Sequence, residues 1–170
     1  MIYFYIIILF IIGQRLMELY IANKNEQWVR ERGGFEVGSE HYKLFIFLHI
    51  TFFVFLLIEV NSLLLTDEMS FNIYFFIIFL LAQVGRVWCI VSLGKFWNTK
   101  IIVMPKVILI KKGPYKYLKH PNYVIVFIEL FVIPAMFGAY KTALFFPILH
   151  LLLLAIRIPR EDRALGRKVQ

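Results

Sequence analysis

The sequence predicts an all-α integral membrane protein, and three observations support that fold class. Of its 170 residues, 61% are hydrophobic and 18% are aromatic, whereas about half of a soluble domain is apolar. The apolar residues are gathered in long runs, and the mean hydropathy is +0.74. The positive charges lie between these runs, as in membrane proteins. Orientation and contact with anionic lipid headgroups thus explain the net charge of +8, and we expect no nucleic-acid partner.

Five segments are long and apolar enough to cross the hydrocarbon core, which takes about 20 helical residues. They are residues 1–22, 43–65, 70–93, 121–138 and 141–158. The first segment lacks a basic start and a cleavage site, so we predict a retained helix. Pro134 and Pro147 lie in the last two segments, where membrane helices tolerate a kink. Only a few residues near Gly138 separate these two segments, which predicts a tight helical hairpin.

The positive charges also predict the orientation of the chain. Sixteen of the nineteen Lys and Arg residues lie in the loop after the first segment and the start of the second, in the connector before the fourth, or in the tail from Arg157. The opposite side holds Lys141, Asp67 and Glu68, while Arg15 and Arg86 lie within segments. The positive-inside rule therefore predicts a multi-pass protein of the cell membrane, with its N-terminus outside and its C-terminus in the cytoplasm.

Polar residues within or beside the apolar segments are candidates for function, because an ionisable group at membrane depth is costly. Glu129 either lines a substrate cavity or pairs with a polar residue such as Arg86. Trp97 is a second candidate for the substrate cavity, with packing as its alternative. Arg15 and Glu18 lie three residues apart, so we predict that they pair on the first helix.

Metal chemistry is not indicated by the sequence. Cys89 is the single cysteine, so neither a disulfide nor CxxC spacing is possible within the chain. We expect this thiol to be buried. His41, His49 and His150 are not spaced as metal ligands, and structural or substrate-channel roles remain open for the last two. The nine glycines form no phosphate-binding pattern.

The connector, residues 95–120, is too long for a simple link, and loops of this length are usually functional or disordered. Its β-branched apolar residues favour short extended pieces that are broken at Pro105. The sequence GPY at 113–115 is typical of a turn. Pro121 suits the first position of the fourth helix, whose free amides can bind an anion.

The tail contains a second cluster of charged residues. Arg157, Glu161 and Leu165 are spaced by four, so they share one face of a helix. Asp162 follows directly, and we expect Pro159 to mark a bend at the membrane surface. Spacing alone leaves two interpretations open, a basic anchor with an internal salt bridge or part of a functional site.

Taken together, the two clusters resemble the isoprenylcysteine carboxyl methyltransferase family. The match consists of GPYKYLKHPNY at 113–123, a membrane hairpin, and RIPREDRAL at 157–165. That family shows a GPY, a basic residue with His-Pro, a Tyr, and then an Arg with paired acids. The likeness covers roughly residues 94–166. Within the family, the chain looks most similar to short bacterial O-methyltransferases of alkylpyrones and other lipid-like polyketides.

The sequence departs from the family pattern at four positions. Lys119 stands where Arg is usual, which keeps the charge but loses the bidentate fork. Ile125 replaces a common Gly, and Val107 replaces a His upstream of the GPY. Asp162 stands where the second Glu of the acid pair is typical, and its side chain is shorter. These changes bear more on a prenylcysteine acceptor than on the cofactor.

The resemblance implies one membrane methyltransferase domain over residues 1–170, with S-adenosyl-L-methionine as cofactor. Residues 1–93 would supply three transmembrane helices, and residues 94–170 would form the cofactor-binding catalytic region. Arg157 and Glu161 are the implied catalytic residues, where Arg157 orients an anionic oxygen of the acceptor. The implied cofactor-binding residues are Tyr115, His120, Pro121, Tyr123, Glu161 and Asp162.

The implied acceptor is lipophilic and reaches the site from the bilayer. An isoprenylcysteine-like carboxylate and a long-chain phenol or pyrone both fit this description. A carboxylate is already anionic, whereas a phenol must lose a proton, for which Glu161 and His120 are the candidate bases. The expected partners are therefore the lipid bilayer and a lipophilic small-molecule or prenylated acceptor.

Two other functions remain open. A nicotinamide-dependent reductase of sterol-reductase-like architecture has a related C-terminal arrangement, although the short chain and the Arg-then-acid-pair tail favour methyl transfer. A non-catalytic membrane scaffold is the second. The joint presence of His120, Tyr123, Arg157 and Glu161 argues against that scaffold.

Overall fold

The computed structural model describes residues 2–105, 107 and 110–166, apart from the side chains of residues 40 and 41. Predictions made for Met1, for connector residues 106, 108 and 109, for the tail from 167, and for the side chain of His41 lie outside this range.

Five helices and two short strands form the described chain, and helices dominate it. Their order is α1 (Ile2–Arg30), β1 (Phe35–Val37), α2 (Ser39–Leu65), α3 (Ile73–Leu93), β2 (Ile101–Val103), α4 (Pro121–Ala135) and α5 (Tyr140–Gly166). Two 3-10 turns, Gly94–Phe96 and Gly113–Lys116, lie in the connector. The predicted all-helical class is confirmed.

Four helices, α1, α2, α3 and α5, are long and apolar enough to cross a membrane. The predicted fourth span, 121–138, is shorter than expected, because α4 has 15 residues. At 1.5 Å per residue it is about 22 Å long, less than the roughly 30 Å hydrocarbon core. The chain turns after Ala135, and Gly138 has a φ of 81°, which joins α4 to α5 as the predicted hairpin.

The predicted end of the first helix was wrong. The first helix was expected to end at residue 22 but continues to Arg30, because Asn25 and Glu26 contact the connector instead of water. Asn25 Nδ2 donates to the carbonyl of Trp97 at 2.8 Å, and Glu26 lies 2.9 Å from Lys100 Nζ. The helical tail predicted for Arg157 to Leu165 is confirmed, and it forms one helix with the fifth apolar segment, because α5 continues through Pro159 to Gly166.

An apolar core joins the helices at the end of the molecule that carries the α4–α5 turn. Phe4 of α1 packs edge-on against Phe137, with ring centroids 4.8 Å apart. Phe52 of α2 packs in the same way against Phe146 of α5, at 5.4 Å. All four side chains are at most 2% exposed. This packing holds α1 and α2 against the hairpin at the end of the molecule opposite the connector.

The two strands form a small antiparallel sheet in which Phe35 pairs with Val103 and Val37 with Ile101. The extended piece before Pro105 was predicted from the connector composition and is confirmed at β2. Its partner β1 was not predicted. The sheet ties the α1–α2 loop to the connector, which holds Thr99 and Lys100 beside α5.

Candidate active site

The start of α4 and the last third of α5 meet in a cluster of polar side chains, named here the α4–α5 cluster. Its members are His120, Tyr123, Arg157, Glu161 and Asp162. Tyr123 stands at its centre, because its hydroxyl donates a hydrogen bond to Glu161 and accepts one from Arg157 Nε at 2.7 Å. The hairpin thus brings together the two sequence clusters that lie more than thirty residues apart.

His120 packs against Tyr123 within the α4–α5 cluster. Its ring stacks on that of Tyr123, with centroids 5.3 Å apart and planes 17° from parallel. Its Nε2 lies 3.1 Å from Asp162 Oδ1, and its Nδ1 lies 3.7 Å from Glu161 Oε1. Lys119 Nζ lies 2.6 Å from the other oxygen of Asp162. The imidazole is therefore held between an aromatic face and both tail carboxylates.

Arg157 is buried, at 6% exposed, although it carries a charge. One terminal amine donates to the carbonyl of Thr99 at 2.6 Å. Its guanidinium lies over the ring of Phe45 at 4.8 Å and over that of Tyr123 at 5.6 Å, where the ring faces attract a cation. Phe45 and Thr99 were not predicted, since an apolar helix residue and a backbone carbonyl carry no sequence signal.

Local sequence explains how α4 begins beside the tail. Pro121 occupies the first helical position, where its missing N–H would have no partner, and this prediction is confirmed. His120 is the residue before the helix and makes no side-chain cap, so its ring is available to the tail. On α5, Arg157 and Glu161 are one turn apart and face the same side, as their spacing predicts.

A surface pocket opens beside Arg157, on the side of the sheet. Its lining residues are Glu36, Val37, Gly38, Tyr42, Lys100, Ile101, Arg157 and Arg160. Burial lowers the pKa of Lys100, but the carboxylates of Glu26 and Glu36 outweigh it and hold that pKa above its usual value. The ammonium therefore stays charged in this pocket, paired with these two carboxylates.

Tyr115, a predicted cofactor residue, lies in the 3-10 turn that packs on α3. Its side chain contacts the small cluster around Cys89, which is fully buried as expected. Burial, followed by the neighbouring thiol of Cys89, raises the pKa of the Tyr115 phenol far above its usual range. The phenol is thus neutral at physiological pH, where it can donate a hydrogen bond or offer a ring face but cannot serve as a base.

The turn that carries Tyr115 depends on Gly113, and we expect Gly113→Ala to lower both thermal stability and ligand binding. Gly113 has a φ of +56°, and an added Cβ would lie 2.0 Å from Ser92 Oγ. Gly38→Ala is the matched control, because Gly38 lies in the left-handed region, with a φ of +71° and a ψ of 38°, and has open space around it. Both variants carry about 1–2 kcal/mol of backbone strain. Thermal unfolding in detergent should show a larger loss for Gly113→Ala; equal losses would contradict the clash.

The two predicted cavity residues lie away from the α4–α5 cluster. Trp97 is 1% exposed, and its Nε1 has no hydrogen-bond partner among the described residues. Glu129 is 2% exposed and accepts hydrogen bonds from Arg15, Arg86 and Gln83. The pairing of Glu129 with Arg86, one of its two predicted alternatives, is confirmed, and Glu129 also lines a crevice.

These contacts belong to a network between α1, α3 and α4, named here the buried charge network. Its members are Gln14, Arg15, Glu18, Gln83, Arg86 and Glu129. Arg15 bonds Glu18 at 2.7 Å, as predicted, and Arg86 lies 3.3 Å from the same carboxylate. The two positive charges of the arginines thus equal the two negative charges of the glutamates. Charged side chains at membrane depth are normally paired in this way.

The profile of the isoprenylcysteine carboxyl methyltransferase (ICMT) family matches residues 73–167, which include the whole α4–α5 cluster. The chain is 43% identical over 162 residues to the uncharacterized protein YpbQ of Bacillus subtilis (strain 168), covering 95% of this chain and 96% of that protein.

A second relative is an uncharacterized protein of Haemophilus influenzae. It is 29% identical over 161 residues, which cover 92% of this chain and 91% of that protein. No solved structure is significantly similar to the chain. The family match spans more than half of the residues, and four long apolar helices accompany it. The chain therefore belongs to the isoprenylcysteine carboxyl methyltransferase family, and it is an integral membrane protein.

Proposed function

We propose that this protein is an S-adenosylmethionine-dependent O-methyltransferase whose acceptor is lipophilic. The observation that supports this most directly is the bonding of Tyr123 to both Arg157 and Glu161. A buried cation, a carboxylate and an aromatic face converge there, within the segment that the methyltransferase family shares. Each group meets a different need of methyl transfer.

The residues of the α4–α5 cluster fit the chemistry of this cofactor. When bound, S-adenosylmethionine supplies an electrophilic methyl group on a sulfonium. Glu161 and Asp162 would hold its ammonium or ribose hydroxyls, while the ring of His120, which stacks on Tyr123, would offer its other face to adenine. Asn122 adds a side-chain oxygen that is buried without a partner among the described residues, and this oxygen can accept from a ligand N–H.

Arg157 would hold the acceptor. Its buried guanidinium already donates to Tyr123 and to the Thr99 carbonyl, so its direction is fixed before any acceptor arrives. A preorganised cation of this kind orients an anionic oxygen, and most of the catalysis would come from such positioning. For a phenolic acceptor, Glu161 or His120 would take the hydroxyl proton.

The orientation we propose puts the α4–α5 cluster on the cytoplasmic side of the cell membrane and the N-terminus outside. The excess of Lys and Arg in the connector and the tail supports this topology. The cofactor would then reach the α4–α5 cluster from the cytoplasm, and the acceptor would reach it from the bilayer. Because α4 has only 15 residues, we propose that α4 and the turn that follows it cross the membrane together.

Thermal unfolding of the purified protein in detergent tests the choice of cofactor. S-Adenosylhomocysteine at about 100 times its dissociation constant should stabilise the protein by about 2.7 kcal/mol. A nicotinamide dinucleotide at the same concentration should not stabilise it. The opposite result would favour the reductase, and stabilisation by neither would support a scaffold.

A further inference from the structure

The peptide group between Thr99 and Lys100 is held by a hydrogen bond at each of its ends. Its carbonyl oxygen, which belongs to Thr99, accepts from a terminal amine of Arg157 at 2.6 Å. Its N–H, which belongs to Lys100, donates to Oδ1 of Asn98 at 2.9 Å. This peptide bond is trans, and a planar trans peptide points its N–H and its C=O in opposite directions. Asn98 therefore fixes the direction in which the carbonyl faces Arg157.

Asn98 is itself anchored on α1. Its Nδ2 donates to the carbonyl oxygen of Ala22 at 2.9 Å. Its Oδ1 accepts from the backbone N–H two residues later, which is the turn that an asparagine side chain commonly makes with its own backbone. One half of the side-chain amide thus bonds α1, and the other half bonds the connector. The peptide group beside Arg157 is therefore held at a fixed position relative to α1.

The hydrogen bonds of Arg157 show what this peptide group contributes. Its Nε donates to the Tyr123 hydroxyl at 2.7 Å, and one terminal amine donates to the Thr99 carbonyl. Two such bonds fix the plane of the guanidinium, because its donors form a rigid fork. The other terminal amine makes no hydrogen bond to a described residue, so it is left for an acceptor oxygen. The bond from the peptide N–H to Asn98 also strengthens the carbonyl, since linked hydrogen bonds polarise one another.

We propose that Asn98 is a positioning residue for the α4–α5 cluster. It orients the peptide group between Thr99 and Lys100 and, through the carbonyl of that group, the guanidinium of Arg157. The proposal rests on the proposed function in one respect, because that function makes Arg157 the group that orients the methyl acceptor. Loss of the Asn98 side chain should therefore loosen the guanidinium without removing its positive charge.

Nitrogen-15 NMR of the arginine side chains tests this role in the full-length protein in detergent micelles. A guanidinium that is held by hydrogen bonds rotates slowly about its Nε–Cζ bond, so its two terminal nitrogens give separate signals. Arg157 should show these signals in the wild type, and their loss in Arg157→Lys assigns them. Asn98→Ala should speed the rotation about fivefold, the value of one hydrogen bond. Asn98→Asp keeps an acceptor oxygen for the peptide N–H, so Arg157 should rotate as slowly there as in the wild type.

Asn25→Ala is the matched control. Asn25 also ties α1 to the connector, because its side chain donates to the carbonyls of two other connector residues, but it does not bond the peptide group beside Arg157. Both alanine variants remove two hydrogen bonds between an asparagine side chain and the backbone, so both should lower thermal stability. Only Asn98→Ala should speed the rotation of the Arg157 guanidinium.

Unchanged rotation in Asn98→Ala, or equally fast rotation in Asn25→Ala, would overturn the positioning role. If Asn98→Ala does not fold, Asn98→Asp decides, because fast rotation in that variant would show that the bond to α1 holds Arg157 and the peptide contact does not. Unchanged methyl transfer by a variant with fast rotation would also overturn the role. The NMR signals need neither cofactor nor acceptor, so a protein that shows them as expected but transfers no methyl group would contradict only the proposed function.

Discussion

Glu161→Gln is expected to weaken the binding of S-adenosylhomocysteine by at least about tenfold. The carboxylate accepts from Tyr123 and lies beside His120, where it would meet the ammonium or the ribose of the cofactor. Glutamine keeps the shape but removes the charge, and a hydrogen bond to a charged group contributes about 1.5–3 kcal/mol. Isothermal titration calorimetry on the detergent-solubilised protein measures this change directly.

Glu68→Gln is the control for that titration. It makes the same change at an exposed residue on the opposite side of the membrane in the proposed topology, and its affinity should equal that of the wild type. An unchanged affinity in Glu161→Gln would remove Glu161 from the cofactor site. An equal loss of affinity in Glu68→Gln would mean that the affinity depends on the net charge of the protein and not on a contact with Glu161.

Glu129→Leu should destabilise the protein by about 3–5 kcal/mol. The substitution leaves Arg15 and Arg86 inside the bundle without the carboxylate that both of them contact, and an unpaired buried charge has about that cost. Chemical unfolding in mixed micelles, followed by tryptophan fluorescence, measures the loss of stability.

The double variant Arg86→Met/Glu129→Leu separates the loss of pairing from the loss of packing. It keeps Arg15 with Glu18, so the remaining charges balance, and well-packed apolar pairs can replace buried ion pairs at little cost. We therefore expect the double variant to be more stable than Glu129→Leu alone, with a coupling free energy of about 1–3 kcal/mol. If the double variant instead lost as much stability as Arg86→Met and Glu129→Leu together, the two side chains would not be coupled as an ion pair.

Much of this architecture could be predicted from the sequence because its signals are strong and local. Long apolar runs define α2, α3 and α5 to within a few residues at most of their ends. Pro121 fixes the start of α4, and the spacing of Arg157 and Glu161 defines a shared face on α5. The joining of His120 and Tyr123 to the tail followed from the resemblance together with the hairpin near Gly138.

Other features could not be predicted because they depend on tertiary contacts. The extension of α1 to Arg30 is stabilised by the bonds of Asn25 and Glu26 to the connector, and neither residue belongs to an apolar pattern. β1 has three residues and forms only because β2 pairs with it. The contact of Phe45 with Arg157 joins helices that are far apart in the chain.

The transfer of a labelled methyl group tests the central claim most directly. Purified protein is incubated with methyl-labelled S-adenosylmethionine and a bacterial lipid extract, and the organic phase is analysed for oxygen-bound methyl groups. We expect one class of lipophilic product from the wild type and at least about a hundredfold less from Arg157→Ala, which loses the group that orients the acceptor. Equal labelling by wild type and Arg157→Ala, or label on nitrogen or carbon instead of oxygen, would contradict the account.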